Sequence, residues 1–201
     1  MQLRSLRLPL LIALATALTP GLAWAHVGVA STSGFSHGLL HPIGGLDHVL
    51  AMVAVGMFAA NLGGRALWAV PATFVAIMAV GGFLGIQHVG LPHVEIGIAL
   101  SVVILGLVVA LQVHWPVAAA MALVGVFAVF HGHAHGSEMP LDASGASYAA
   151  GFMIATALLH VAGIAIGIGS QSIDTVYRHR AAQLGGGIMV LAGIGLLANM
   201  L

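Results

Sequence analysis

Six long apolar runs, separated by short polar joints, dominate this chain: roughly Gly44–Leu62, Ala66–Ile86, His93–Leu111, Pro116–Phe130, Tyr148–Ile168 and Leu184–Leu201. Most approach the ~20 residues that a helix needs to cross a hydrocarbon core. The fourth is short unless its helix continues through His131–His135. The runs are continuously apolar, with none of the alternation of a barrel strand, so they predict helices. The expected fold is all-α: a polytopic membrane protein of six transmembrane helices forming one domain over residues 26–201. A shorter run, Leu8–Leu18, follows Arg4 and Arg7 and precedes Ala23-Trp24-Ala25. A basic start, an apolar stretch too short to span and a small-x-small site predict a cleavable signal peptide over residues 1–25.

Composition sharpens this picture. The chain is 60% apolar and 5% charged, so each ionisable group within it needs a reason. Its glycines, such as Gly81-Gly82, Gly185-Gly186-Gly187 and the Gly163/Gly167 pair, suit close helix–helix packing. The absence of cysteine excludes disulfides and thiolate metal sites. Formal charge is zero, with no basic stripe, which argues against a nucleic-acid partner.

Signal cleavage would put His26 outside, and alternation of six spans then places Arg65, Arg178 and Arg180 inside, in accord with the positive-inside rule. The expectation is a multi-pass protein of the bacterial inner membrane with both mature termini periplasmic. The same alternation gathers His26, His37, His41, His48, His88, His93, His131, His133 and His135 at the outer side, with Asp47, Glu95, Glu138 and Asp142. His114, His179 and Asp174 fall inside. Counting from Tyr148, His160 lies roughly 18 Å deep in the fifth span. Imidazole and carboxylate gathered at one rim suggest a divalent transition metal.

Three stretches carry that chemistry. In His41-Pro42-Ile43-Gly44-Gly45-Leu46-Asp47-His48, a continuous helix would stack the two histidines on one face. Pro42 and the glycine pair are placed to break that helix and free carbonyls to line a cavity. Asp47 can ligate, orient an imidazole, or simply favour a helix N-terminus. In Phe130-His131-Gly132-His133-Ala134-His135-Gly136-Ser137-Glu138, His131 and His135 are four apart and can reach one metal from a helix, with Glu138 adding an oxygen. His133 points elsewhere. A solvated His-rich loop is the plainer reading of this stretch. Glu95, just inside the third run after His93, is costly unless paired or facing water; serving a helix N-terminus is its plainer role. The weaker candidates are His26, through its amine and imidazole, His93, His133 and His160. For His160 the ordinary expectation is a neutral ring bonded to Thr156 one turn back, and the sharper one is a metal or proton relay. Met52, one turn below His48, reads as packing.

These motifs resemble the HupE/UreJ family of nickel/cobalt permeases. His41, Pro42, Gly45, Asp47 and His48 match that family's H-P-x-x-G-x-D-H signature. Phe130, His131, Gly132, His135, Gly136 and Glu138 correspond to its second signature, with the two histidines one residue closer together. Glu95 resembles its third acidic position. The resemblance implies a secondary permease for Ni²⁺ or Co²⁺ as transported substrate, with no prosthetic group and no enzyme activity, functionally linked to hydrogenase or urease maturation. The residues alone leave other readings open: an intramembrane zinc-dependent hydrolase, a membrane metal sensor or buffer without transport, and a haem or electron-transfer role for the paired histidines.

Overall fold

Seven helices account for nearly all of the residues that the computed structural model describes, 34–139 and 145–200. They are α1 (Gly34–Gly44), α2 (Leu46–Leu62), α3 (Ala66–Ile86), α4 (Val94–Ala110), α5 (Val117–Ser137), α6 (Gly145–Ser170) and α7 (Thr175–Ala198). Among the described residues there is no strand. The expected signal peptide, His26 and Asp142 lie outside the described residues.

Four helices, α3, α5, α6 and α7, are long and apolar enough to cross a membrane. A fifth crossing exists if α1 and α2, bent by 83° at their junction, count as one broken span. At 17 residues, α4 is apolar but short. The expected first span, Gly44–Leu62, is largely the continuous helix α2, and the break expected near Pro42 and the glycine pair falls just before it. Pro42 sits in the last turn of α1, and Gly45 is extended at φ −94°, ψ 114° before α2 starts. The break falls three residues after Pro42, at the extended Gly45. The fourth apolar run does continue as one helix through the histidine-rich stretch to Ser137.

The last helix begins at Thr175, nine residues before the apolar run expected at Leu184. Asp174 Oδ1 accepts a hydrogen bond from the Val176 amide at 2.9 Å, a side-chain cap that starts the helix in polar sequence. Hydropathy locates where a helix becomes apolar, whereas the cap locates where it begins.

The main pairings are α3 with α5, α4 with α7, and α6 with both α1 and α2. Glycine permits the closest of them. A Cβ on Gly132 would run into the Met78 carbonyl, and one on Gly136 into the Gly82 carbonyl. These two glycines let α5 lie against α3 and so fix where His131 and His135, each adjacent to one of them, project. Gly56 and Gly163 do the same for α2 against α6. The shared apolar core includes Met52, Val55, Phe58, Phe74, Met78 and Leu105, and His48, Ser101, His131, Thr156 and His160 are buried in the same interior.

The bundle has two chemically different ends. The start of α2 and the ends of α1 and α5 carry the histidines. The far ends of α2, α4 and α6 meet the start of α7 around a cavity of about 240 Å³ lined by Asn61, Gln112, His114, Gln171, Arg178 and His179, among others.

Candidate metal site

Two three-residue groups of donors form at the histidine end. His48, His131 and His135 each present one ligand atom, all within 4.8 Å of one another. His41, His135 and Glu138 do the same. The first group is the deeper: His48 and His131 have 0% exposure. The second lies at the rim, where the His41 side chain is 28% and the Glu138 side chain 52% exposed. Between them, His135 is 13% exposed.

The hydrogen bonds around the deep group determine which nitrogens are free. Ser101 Oγ donates to the Ile98 carbonyl at 2.6 Å, so its proton is used. Toward His131 Nε2, 2.8 Å away, that oxygen must then accept, which puts the ring proton on Nε2. The His131 Nδ1 lone pair is left bare, and this atom is buried without a partner. His48 repeats the arrangement. Thr156 Oγ1 donates to Met78 Sδ at 3.7 Å and accepts from His48 Nε2 at 3.1 Å, again leaving Nδ1 buried and unpaired. His135 Nδ1 is also buried without a hydrogen bond, 3.6 Å from Glu138 Oε2. Buried polar atoms are nearly always satisfied, so three unpaired imidazole nitrogens on adjoining rings signal a missing partner. A divalent cation is chemically suited to that role, because neutral imidazole is a common ligand for Zn, Cu, Fe and Ni. Carboxyl or hydroxyl partners orienting the far nitrogen are the usual support of such ligands.

The rings are stacked tightly. His135 lies 4.9 Å from His48 and 5.0 Å from His41, centroid to centroid, both edge-to-face, and His48 lies 5.2 Å from His131. Phe152 closes the side at 4.5 Å from His135. At the rim, His41 Nε2 donates to Glu138 Oε2 at 3.1 Å. The His135 and His41 imidazoles hold the Glu138 carboxyl down at about 2, against a smaller opposing effect of burial, so it is a carboxylate at any physiological pH.

The other expected site residues fall outside both groups. Asp47 Oδ1 accepts from the His48 backbone amide at 2.7 Å, serving one of the unpaired N–H groups at the start of α2. It thus holds the His48 backbone and not an imidazole. Glu95 is exposed in the first turn of α4, within electrostatic reach of Glu138, Asp47 and His135. His93 precedes that turn in a left-handed conformation, φ 58°. His133 donates Nε2 to the Val89 carbonyl at 2.7 Å. His160 is 1% exposed and both its ring nitrogens lack partners. The bond expected between His160 and Thr156 is not formed, because Thr156 serves His48 instead.

Sequence reasoning missed Ser101, whose signal was a lone hydroxyl in the apolar run of α4, and the role of Thr156 in orienting His48. It also passed over His37 and Tyr148, whose rings lie 5.7 Å and 6.1 Å from His41.

The sequence profile of the HupE/UreJ protein family matches residues 14–196. The chain belongs to the HupE/UreJ family. A relative, Protein HupE of Rhizobium leguminosarum bv. viciae, is 48% identical over 186 residues, covering 92% of this chain and 95% of that protein. No solved structure matches. For this HupE/UreJ member, the match therefore takes in every helix that contributes a donor residue described above.

Proposed function

We propose that this protein is a secondary permease for Ni²⁺, with Co²⁺ as an alternative substrate, and that the ion enters through the histidine end of the bundle. The observation that carries this reading is the set of buried, unpaired imidazole nitrogens on His48, His131 and His135. Family membership supports a role in membrane metal uptake.

In this reading the ion sheds water at the rim, where Glu138 supplies charge and His41 and His135 supply nitrogen. It then passes to the buried imidazoles. Ser101 and Thr156 keep His131 and His48 in the tautomer that leaves Nδ1 open. Asp47 and Glu95 add negative potential at the mouth, drawing cations toward it. His160, buried and unpaired two turns below the ring cluster's edge on α6, is the next nitrogen along the path. Six crossings are assigned, with the α1–α2 pair as a broken first span and α4 as a short third. Broken helices at membrane depth are tolerated where they line a cavity. The histidine end faces the periplasm and the arginine end the cytoplasm of an inner membrane, following the positive-inside rule. The imported metal would supply a hydrogenase or urease.

The test is uptake of ⁶³Ni²⁺ by vesicles containing the purified protein, with Co²⁺, Zn²⁺ and Cu²⁺ as competitors. Saturable uptake that His48→Ala removes supports the permease. Binding without flux would instead favour a sensor or buffer, and cleavage of a lipid or amide substrate would favour a zinc hydrolase.

A further inference from the structure

The two donor groups share one residue. His135 belongs both to the rim group, with His41 and Glu138, and to the buried group, with His48 and His131. Its ring is almost equidistant from the two histidines that differ, 5.0 Å from His41 and 4.9 Å from His48. A neutral imidazole has one nitrogen with a free lone pair; the other carries a proton. Metals at both nitrogens together would require an imidazolate bridge. They would also place two divalent ions on either side of one ring, in donor groups that contain a single carboxylate between them, where their repulsion is strong.

We propose that the two groups are successive stations for a single ion and that His135 hands it from one to the other. This rests on the reading of the clusters as metal sites. The step is a ligand exchange with no redox change: bonds to His41 and Glu138 break, bonds to His48 and His131 form, and the ion keeps its charge. His135 remains a ligand throughout, so the ion is never released to solvent. Exposure gives the order, falling from 52% at Glu138 and 28% at His41 to 13% at His135 and 0% at His48 and His131. His135 lies in the last turn of α5, two residues before its end, with its ring between those of His41 and His48, so the exchange needs only a short movement of the ion. The carboxylate is left behind at the first station. The second therefore holds a doubly charged ion with neutral ligands alone, which keeps its grip moderate enough for onward release.

The experiment is a Co²⁺ titration of the full chain in detergent, counting bound metal by equilibrium dialysis and elemental analysis and reading ligand type from the visible d–d bands. The wild type is expected to bind one Co²⁺. Glu138→Gln is expected to bind one with the spectrum of three imidazole nitrogens completed by solvent. His131→Gln should bind one with the spectrum of the rim group, two imidazole nitrogens and a carboxylate, and His135→Ala should lose about 100-fold or more in affinity. Two tightly bound Co²⁺ per wild-type chain would overturn the hand-off while leaving the metal sites standing. Failure of either single-group variant to bind would overturn it too, since that group would then not be a station. A wild-type chain that binds no Co²⁺ would overturn the metal-site reading itself. The wild-type count needs no variant and so stands whether or not His131→Gln folds.

Discussion

The histidine end and the arginine end of this bundle are both polar, yet they treat their polar groups in opposite ways. At the arginine end, Asn61 Nδ2 donates to the Val113 carbonyl at 3.1 Å, Gln171 Nε2 reaches the Ala60 carbonyl at 3.5 Å, and Asp174 caps α7. These side chains serve backbone groups at helix ends, the ordinary work of amides and carboxylates where helices stop. At the histidine end, Ser101 and Thr156 serve imidazoles, and the imidazoles then hold nitrogens that serve nothing in the protein. Leaving a buried polar atom unpaired costs about 1–3 kcal/mol. The buried side-chain nitrogens without partners, among the described residues, gather on the histidine side of the bundle, and that contrast favours the reading of a ligand site proposed above. The contrast separates a site from a helix boundary better than composition does, because histidine occurs at both ends.

The largest effect should come from the residue shared by both donor groups. His135→Ala is expected to lower nickel uptake by about 100-fold or more, whereas His114→Ala, at the arginine end, should change it by less than about 2-fold. Equal losses, measured as initial ⁶³Ni²⁺ rates at matched protein levels, would erase the distinction between the ends.

Next is the packing that holds the site. A Cβ at Gly132 meets the Met78 backbone, while at Gly185 it meets nothing within 4 Å. Gly132→Ala should destabilise the protein by about 1–3 kcal/mol, because a backbone carbonyl must move. Gly185→Ala should be neutral or stabilise by up to about 1 kcal/mol, the helix propensity gain. Thermal unfolding in detergent compares them.

A smaller effect tests the hydroxyl that sets a tautomer. Ser101→Ala removes the acceptor of His131 Nε2 and should weaken metal affinity by about 10-fold while leaving the fold intact. An unchanged half-saturation concentration would mean that the Ser101 contact is packing alone.

The subtlest test is pH. Ligation needs neutral imidazole, so uptake should fall as the medium is made more acidic. Glu138 does not contribute to that limb. Its folded value, near 2, lies below its ordinary value of 4.5. Whatever stability its pairing adds is present above about pH 4.5 and is lost as pH falls from there through 2. The residual uptake of Glu138→Gln should therefore retain the wild-type acid limb. A limb that moves with this substitution would place the carboxylate, not the histidines, in control.

How much of this was legible before the structure varied with the range of the interaction. The i, i+4 relation of His131 and His135 is local, and it survives because α5 continues through Ser137. The relation of His41 to His48 is also local in sequence, but a seven-residue spacing implies one helical face only if the helix is unbroken. Gly45 breaks it, so these two rings meet His135 from different helices. Glu95 was read from its position in an apolar run, and that position located the rim without saying what the carboxylate touches. Ser101 carried no pattern at all, since one hydroxyl among apolar neighbours looks the same whether it bonds its own helix or another.

The sequence by itself determined the all-helical character, the family and the sorting of ionisable groups between two ends. These follow from hydropathy, motif and alternation, which act along the chain. Only the tertiary structure decided which nitrogens are free and that His135 stands between two donor groups. A lone pair is free only when every neighbour has been counted, and the neighbours of His131 come from α3 and α4 as well as α5, with α2 bringing His48. Packing of separate helices, made close by the glycines of α5, turned a row of histidines into two donor groups.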